Sequence, residues 1–148
     1  MSIWHAAVTL EDLNRRTPGS LLGHLGIRYT DIGETYLTGT MPVDARTTQP
    51  AGILHGGASV VLAETLGSTA AALAIDTDLF YCVGQNNSAN HIRAVRDGVV
   101  TGRAEPIHLG RRSQVWEIRI VEERGRLVCV ARLTMAVLKV DTESRPSP

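Results

Sequence analysis

The chain has 148 residues, enough for one domain with a sizeable core, and its 15 Lys and Arg residues balance its 15 Asp and Glu residues. The zero net charge excludes an overall basic field that would attract nucleic acid or an anionic membrane surface. Cys82 and Cys129 lie in apolar, strand-like runs, which indicates buried reduced thiols rather than a disulfide or a metal pair.

The first third of the chain predicts two short helices and two strands. Residues 9–16 have a threonine that can cap a helix, acidic residues in the first turn and basic residues in the last, and residues 21–25 carry leucines at helical spacing. Strands are predicted at residues 27–32 and 35–41, and Gly33-Glu34 between them indicates a hairpin. A polar connection then leads to Gln49.

Residues 49–75 are the segment around which the rest of the chain is organised. A loop with a proline and a glycine turns into a helix at Gly56-Gly57, and from residue 58 to 75 nearly every side chain is apolar or small. Such a helix must be buried on every side, so the remaining elements have to wrap around it. Its one charge is Glu64, and Ser68 lies four residues on, hence on the same face.

Strand patterns dominate the second half of the chain. One strand begins at residues 80–84, with a continuation to residues 91–92 as an open alternative, and others are predicted at residues 99–107, 114–120 and 127–140. About six antiparallel strands and one buried helix indicate an α+β fold. Residues 1–140 form a single predicted domain, and the polar residues 141–148, with two prolines, are expected to be a disordered tail.

The motif that starts at Gln49 is distinctive. It reads Gln-Pro-x-Gly-x-x-His-Gly-Gly, reaches Glu64 seven residues after its last glycine, and follows Met41-Pro-Val-Asp44. With these residues the chain resembles the hotdog-fold acyl-CoA thioesterases that carry their catalytic glutamate on the central helix. It is most similar to the branch of 1,4-dihydroxy-2-naphthoyl-CoA hydrolases and enterobactin-pathway proofreading thioesterases. The resemblance implies a long central helix wrapped by a sheet of about six strands.

The central helix carries the candidate catalytic residues. Glu64 in apolar surroundings is a better base or nucleophile, and the alternative is a structural carboxylate satisfied by hydrogen bonds. The resemblance implies that Glu64 attacks the thioester carbonyl or activates water, and that the Gly56 N–H polarises the carbonyl with Gln49 and His55 beside it. Ser68 orients the water or lines the acyl pocket, or is ordinary helix packing. No Gly-x-Ser-x-Gly motif indicates a serine nucleophile.

A second set of residues is implied to hold coenzyme A. In the resembled family, the residues at these positions lie along the coenzyme A groove: Gly84, His91, Ile92, Arg93, Ala94, His108, Leu109, Gly110, Arg111, Arg112 and Ser113. Guanidinium groups next to a glycine suit phosphate, although Arg111-Arg112 could also be a solvated turn. The chain departs from the family at residues 85–88, where polar residues replace a more apolar run with one acid, and at Ala51, where an aromatic residue is common.

The predicted function is hydrolysis of an acyl-CoA thioester with an aromatic or otherwise bulky acyl group. The alternatives are a hotdog hydratase or dehydratase and a non-catalytic acyl-CoA binding module. No cofactor is expected, since coenzyme A is part of the substrate, and the five histidines show no spacing of paired metal ligands. A single sheet covers one side of a helix, so we expect a second copy of the chain, and the resemblance implies a dimer or a dimer of dimers. Neither a nucleic acid nor a membrane partner is expected, and a cytoplasmic location is expected because the first residues lack a signal-peptide pattern.

Overall fold

The computed structural model describes residues 1–141. Its elements in chain order are α1 Leu10–Arg15, α2 Leu21–Leu25, β1 Arg28–Ile32, β2 Leu37–Pro42, α3 Gly56–Leu73, β3 Phe80–His91, β4 Val99–Leu109, β5 Ser113–Val121 and β6 Leu127–Lys139. The six strands form one antiparallel sheet in the order β1-β2-β4-β5-β6-β3. The predicted α+β hotdog architecture is confirmed. The tail predicted at residues 141–148 lies outside the described residues, except for Asp141.

The core lies between α3 and one face of the sheet. Trp116, Ile118 and Ile120 of β5 are fully buried, as their alternation with polar residues predicts. Leu66 of α3 is also fully buried, and it sits over Gly39 and Gly102, which pair directly across β2 and β4. Leu66 leaves no room for side chains at these positions. A Cβ atom would lie 2.8 Å from a Leu66 methyl group at Gly39 and 2.7 Å from the other methyl group at Gly102.

One side of α3 stays open in the single chain. Gly57 is exposed, and Val60, Val61, Glu64 and Ser68 are only partly buried. This open stripe lies between the two edge strands. On one side Glu64 is hydrogen-bonded to Asn87 of β3, and on the other Thr69 is hydrogen-bonded to Tyr29 of β1. The sheet of a single chain therefore covers only part of the helix, and the second copy stays a prediction.

Strand β3 is the longest element at an edge of the sheet. It pairs with β6 along one side only, and its register shifts between Gly84 and Asn86. The continuation to His91, an open alternative from the sequence, is confirmed. Strand β4 also extends beyond its predicted end, because a register shift between Pro106 and His108 lets it run on to Leu109.

Candidate active site

The N-terminus of α3 presents a free backbone donor. His55 is the N-cap, and its Nδ1 accepts the Gly57 N–H at 2.8 Å. The N–H groups of Ala58 and Ser59 donate to the His55 carbonyl at 2.9 Å and 3.2 Å. Among the described residues, the Gly56 N–H has no partner. An unpaired N–H at a helix N-terminus is suited to bind a negatively polarised oxygen.

A cleft of about 360 Å³ opens in front of this donor. It brings together Gln49 and Gly56 with the predicted coenzyme A residues His91 to Ala94. The His91 imidazole packs against Gly56, where a Cβ atom would lie 2.9 Å from its Nε2 atom. Gln49 accepts the Ala51 N–H through Oε1 at 2.9 Å, which leaves its side-chain NH₂ without a partner in residues 1–141. We name Gln49, His55 and Gly56 the entrance cluster.

Glu64 belongs to a second group of residues farther along α3. Its Oε1 atom accepts the Ser68 hydroxyl at 3.3 Å, and its Oε2 atom accepts the Asn87 side-chain N–H at 2.9 Å. A Cβ atom at Gly84 would lie 2.5 Å from Oε1, so a side chain there would displace the carboxylate. We name Glu64, Ser68, Gly84 and Asn87 the carboxylate cluster.

The entrance and carboxylate clusters are separate within one chain. Gly56 and Glu64 are eight residues apart on α3, which corresponds to about 12 Å along the helix axis. A reacting carbonyl must lie about 3 Å from both the attacking group and the oxyanion donor. The sequence predicts one catalytic site from Glu64, Gly56, Gln49, His55 and Ser68, whereas one chain brings them together as two groups.

The predicted coenzyme A residues are divided as well. His91, Ile92, Arg93 and Ala94 lie at one end of β3, in the cleft of the entrance cluster. At the other end, Phe80 lines a cleft of about 380 Å³ together with Gly110, Arg111 and Arg112. His108, Leu109 and Ser113 adjoin these residues in the chain, at the junction of β4 and β5. Gly84, the remaining predicted residue, lies against Glu64 in the carboxylate cluster. The twelve residues of β3 span about 40 Å, so one chain does not form a continuous groove from both segments.

A third cleft, of about 300 Å³, adjoins the carboxylate cluster through Ser68. Leu13, Leu22 and Leu73 give it an apolar lining. Tyr29 also lines it, and its hydroxyl is 2.7 Å from the Thr69 hydroxyl. Burial raises the pKa of the Tyr29 phenol, so the hydroxyl is neutral at physiological pH.

Asn87 is the member of the carboxylate cluster that the sequence analysis missed. The available signal was the departure at residues 85–88, where an amide stands in a run expected to be apolar.

No metal site is formed by the described residues, because no three of their His, Cys, Asp or Glu side chains are grouped as ligands. Cys82 and Cys129 are free, and burial raises the pKa of both thiols. No helix in residues 1–141 is long and apolar enough to cross a membrane.

The chain is similar in sequence to known thioesterases. Residues 51–129 match the family model described as the thioesterase superfamily. The 1,4-dihydroxy-2-naphthoyl-CoA hydrolase of Escherichia coli K12 is 52% identical over 136 residues, which cover 92% of this chain and 99% of that protein. The proofreading thioesterase EntH of Cronobacter turicensis is 54% identical over 136 residues, which cover 92% of this chain and 98% of that protein.

Solved structures give the same result. A mutant of thioesterase PA1618 from Pseudomonas aeruginosa superimposes with a TM-score of 0.92 at 50% identity, covering 94% of this chain and 100% of that one. Thioesterase HI1161 from Haemophilus influenzae gives a TM-score of 0.92 at 48% identity, and the match covers 97% of this chain and 99% of that one. These relatives and solved structures each cover more than nine tenths of the chain. The chain therefore belongs to the thioesterase superfamily, the enzyme class that its sequence predicts.

Proposed function

We propose that this enzyme hydrolyses acyl-CoA thioesters with an aromatic or bulky acyl group. The reaction adds water across the C–S bond, so that the acyl carbon gains the hydroxyl and the sulfur of coenzyme A gains the proton. The observation that carries this proposal is Glu64, the one charged residue of α3, which is held by two neutral donors. One of these donors, Ser68, lines the apolar cleft. Relatives more than half identical are named for thioester hydrolysis.

The two clusters have complementary roles in this proposal. Glu64 acts on the thioester carbonyl as a nucleophile or takes a proton from the attacking water, and both routes remain open. The Gly56 N–H stabilises the negative charge on the carbonyl oxygen, with Gln49 and His55 beside it. Ser68 donates a hydrogen bond to the carboxylate and borders the cleft that receives the acyl group. The aromatic character is supported by the name of the naphthoyl-CoA hydrolase relative.

A complete site requires two copies of the chain. Glu64 of one copy and Gly56 of the other would meet if two β3 strands pair antiparallel along their free edges. Gly84 lies beside Glu64, and His91 lies beside Gly56, so the required register places Gly84 opposite His91 of the second copy. The two-fold axis then passes between Asn87 and Ser88. The open stripe of α3 would be covered by the same contact.

This pairing would also join the two coenzyme A segments. When Gly84 lies opposite His91, the Phe80 end of each β3 strand extends towards the residues that follow His91 in the other copy. Arg111 and Arg112 of one copy then approach Arg93 of the other, which places guanidinium groups along one groove. Such a groove suits the phosphates of coenzyme A.

Thiol release from benzoyl-CoA tests the function, and Glu64→Gln tests the site. Glu64→Gln keeps the shape of the side chain but removes its charge and basicity. We expect kcat to fall at least ~10²-fold, the scale of a lost base or nucleophile, while KM changes less. The surface variant Glu105→Gln is the matched control, because Glu105 lies at the exposed outer side of β4.

Three results would contradict the proposal. Enoyl-CoA hydration without thiol release would identify a hydratase, and saturable binding of acyl-CoA without turnover would identify a binding module. If Glu64→Gln changes the melting temperature but leaves kcat within a few-fold of the parent, Glu64 is a structural carboxylate.

A further inference from the structure

Asn87 lies at the centre of β3 and faces α3. Its side-chain N–H donates to Glu64 Oε2 at 2.9 Å, which is a shorter contact than the 3.3 Å from Ser68 to Oε1. A carboxylate can only accept hydrogen bonds, so the NH₂ end of the amide must face Glu64. The orientation of the amide is thus dictated by the carboxylate.

The other end of the same amide has no partner. Asn87 Oδ1 is buried, and within the described residues nothing donates to it. Buried acceptors are nearly always paired in folded proteins, so an unpaired one beside a carboxylate points to a donor that arrives with the reaction. Glu64 has no charged partner among its hydrogen bonds in residues 1–141, which makes this amide its strongest fixed contact.

We propose that Asn87 positions Glu64 through its N–H and holds the attacking water through Oδ1. The inference rests on the proposed thioester hydrolysis. The water donates one hydrogen to Glu64 and the other to Asn87 Oδ1, so its lone pair is directed at the acyl carbon. Glu64 takes the first hydrogen as a proton when the O–C bond forms, and that proton leaves with the sulfur when the C–S bond breaks. On the nucleophilic route, the same contacts orient the water that releases the acyl group from Glu64.

The main test compares kcat of the parent and of Asn87→Leu on benzoyl-CoA and on 2-hydroxybenzoyl-CoA. Leucine removes both hydrogen-bonding functions at similar size. We expect kcat to fall roughly 10- to 100-fold on both substrates, the scale of one hydrogen bond to a charged group, with KM little changed. If only 2-hydroxybenzoyl-CoA is affected, Oδ1 binds a substrate hydroxyl, and the role in holding water is wrong.

Asn87→Asp provides a second, nearly isosteric variant with a different readout. It keeps two acceptor oxygens but replaces the donor with a second carboxylate beside Glu64, and two adjacent carboxylates resist being ionised together. The acid limb of its pH–kcat profile should therefore move to higher pH. A limb at the parent's position would contradict the contact between Asn87 and Glu64.

Asn86 offers a matched control on the same strand. It is exposed and pairs with Thr134 on the outer face of the sheet, away from Glu64. Asn86→Leu and Asn86→Asp should leave kcat and its pH profile unchanged. Equal losses at Asn86 and Asn87, or a parental kcat in Asn87→Leu, would overturn the inference while the parent still releases thiol. A parent that releases no thiol would instead refute the proposed function.

Discussion

Glu64 occupies a position where the fold leaves little freedom for its carboxylate. Ser68 and Asn87 hold the two oxygens from different elements, and Gly84 provides the space for Oε1. A catalytic carboxylate is effective when its geometry is fixed before the substrate arrives, because displacement of about 1 Å can cost about 10²-fold in rate. In the proposed function, the absence of a side chain at Gly84 therefore serves catalysis as well as packing.

Gly84→Ala tests this constraint at the scale of one methyl group. The added Cβ would lie 2.5 Å from Oε1, and the flexible Glu64 side chain can move away more readily than the strand can. We expect kcat to fall about tenfold or more, while the melting temperature stays near that of the parent. Assays with benzoyl-CoA and thermal unfolding on one preparation check both parts. Gln85→Ala, at an exposed neighbouring position, is the control.

A kcat of Gly84→Ala close to that of the parent would show that Glu64 functions from a displaced position. A large drop in melting temperature would show instead that the strand, rather than the side chain, had to move. Only the combination of lost turnover and retained stability fits a carboxylate placed for catalysis.

The turn between β5 and β6 is held by an ion pair between Glu122 and Arg126. The Glu122 carboxylate accepts the Arg124 and Arg126 backbone N–H groups at 3.1 Å and 3.0 Å, and the Arg126 guanidinium binds it at 3.1 Å. The guanidinium and these N–H groups lower the pKa of Glu122 from its ordinary 4.5 to about 2. Gly125 closes the turn with a φ of 77°, a conformation that glycine adopts without strain.

This lowered pKa gives the hairpin a pH dependence with a definite sign. The carboxylate binds protons more weakly in the folded chain, so its contribution to stability is complete above about pH 4.5 and is lost as the pH falls towards 2. Arg126→Ala should therefore lower the melting temperature at pH 7, and its difference from the parent should shrink between pH 4.5 and 2. Thermal unfolding across this range measures it. Arg124→Ala keeps the backbone contact and is the control; a pH-independent difference would contradict the assignment.

The elements were predictable where hydrophobic periodicity alone defines them. The alternation around Trp116 predicts β5 and its one buried face, and the all-apolar run predicts α3 as a helix surrounded by other elements, because both patterns follow burial. Strand ends were less predictable. The extension of β4 past Pro106 depends on a register shift, which is set by pairing with β5 rather than by local sequence.

The site was predictable as a set of residues but not as an arrangement. The motif identifies Glu64 and Gly56 as candidates, and their eight-residue spacing on one helix already separates them by about 12 Å, but it does not show which elements complete each group. Asn87 was missed because an amide is recognised as a carboxylate partner only when its strand is placed beside α3. Contacts between distant segments depend on topology, which a local pattern does not contain.

The whole molecule raises the question of where a complete active site is formed. In one chain, β3 has a free edge, α3 has an open stripe, and the two clusters are about 12 Å apart along α3. In the proposed antiparallel pairing of two β3 edges, one contact would pair the free edges, cover the open stripe and bring the two clusters together. It requires an oligomer, so light scattering should give at least twice the 16.0 kDa mass of the chain.

Mixing two inactive variants tests this arrangement directly. Glu64→Gln removes the carboxylate, and Gln49→Ala alters the entrance cluster, so each variant alone should show little turnover. If one site takes Glu64 from one copy and Gln49 from the other, a mixed dimer has one site with both defects and one site with none. Random assembly from equal amounts makes half of the dimers mixed, so co-expression or refolding together should restore about a quarter of the parental activity. Mixing the folded proteins without subunit exchange is the control. Activity that stays at the level of the separate variants after confirmed exchange would mean that each chain forms its site alone.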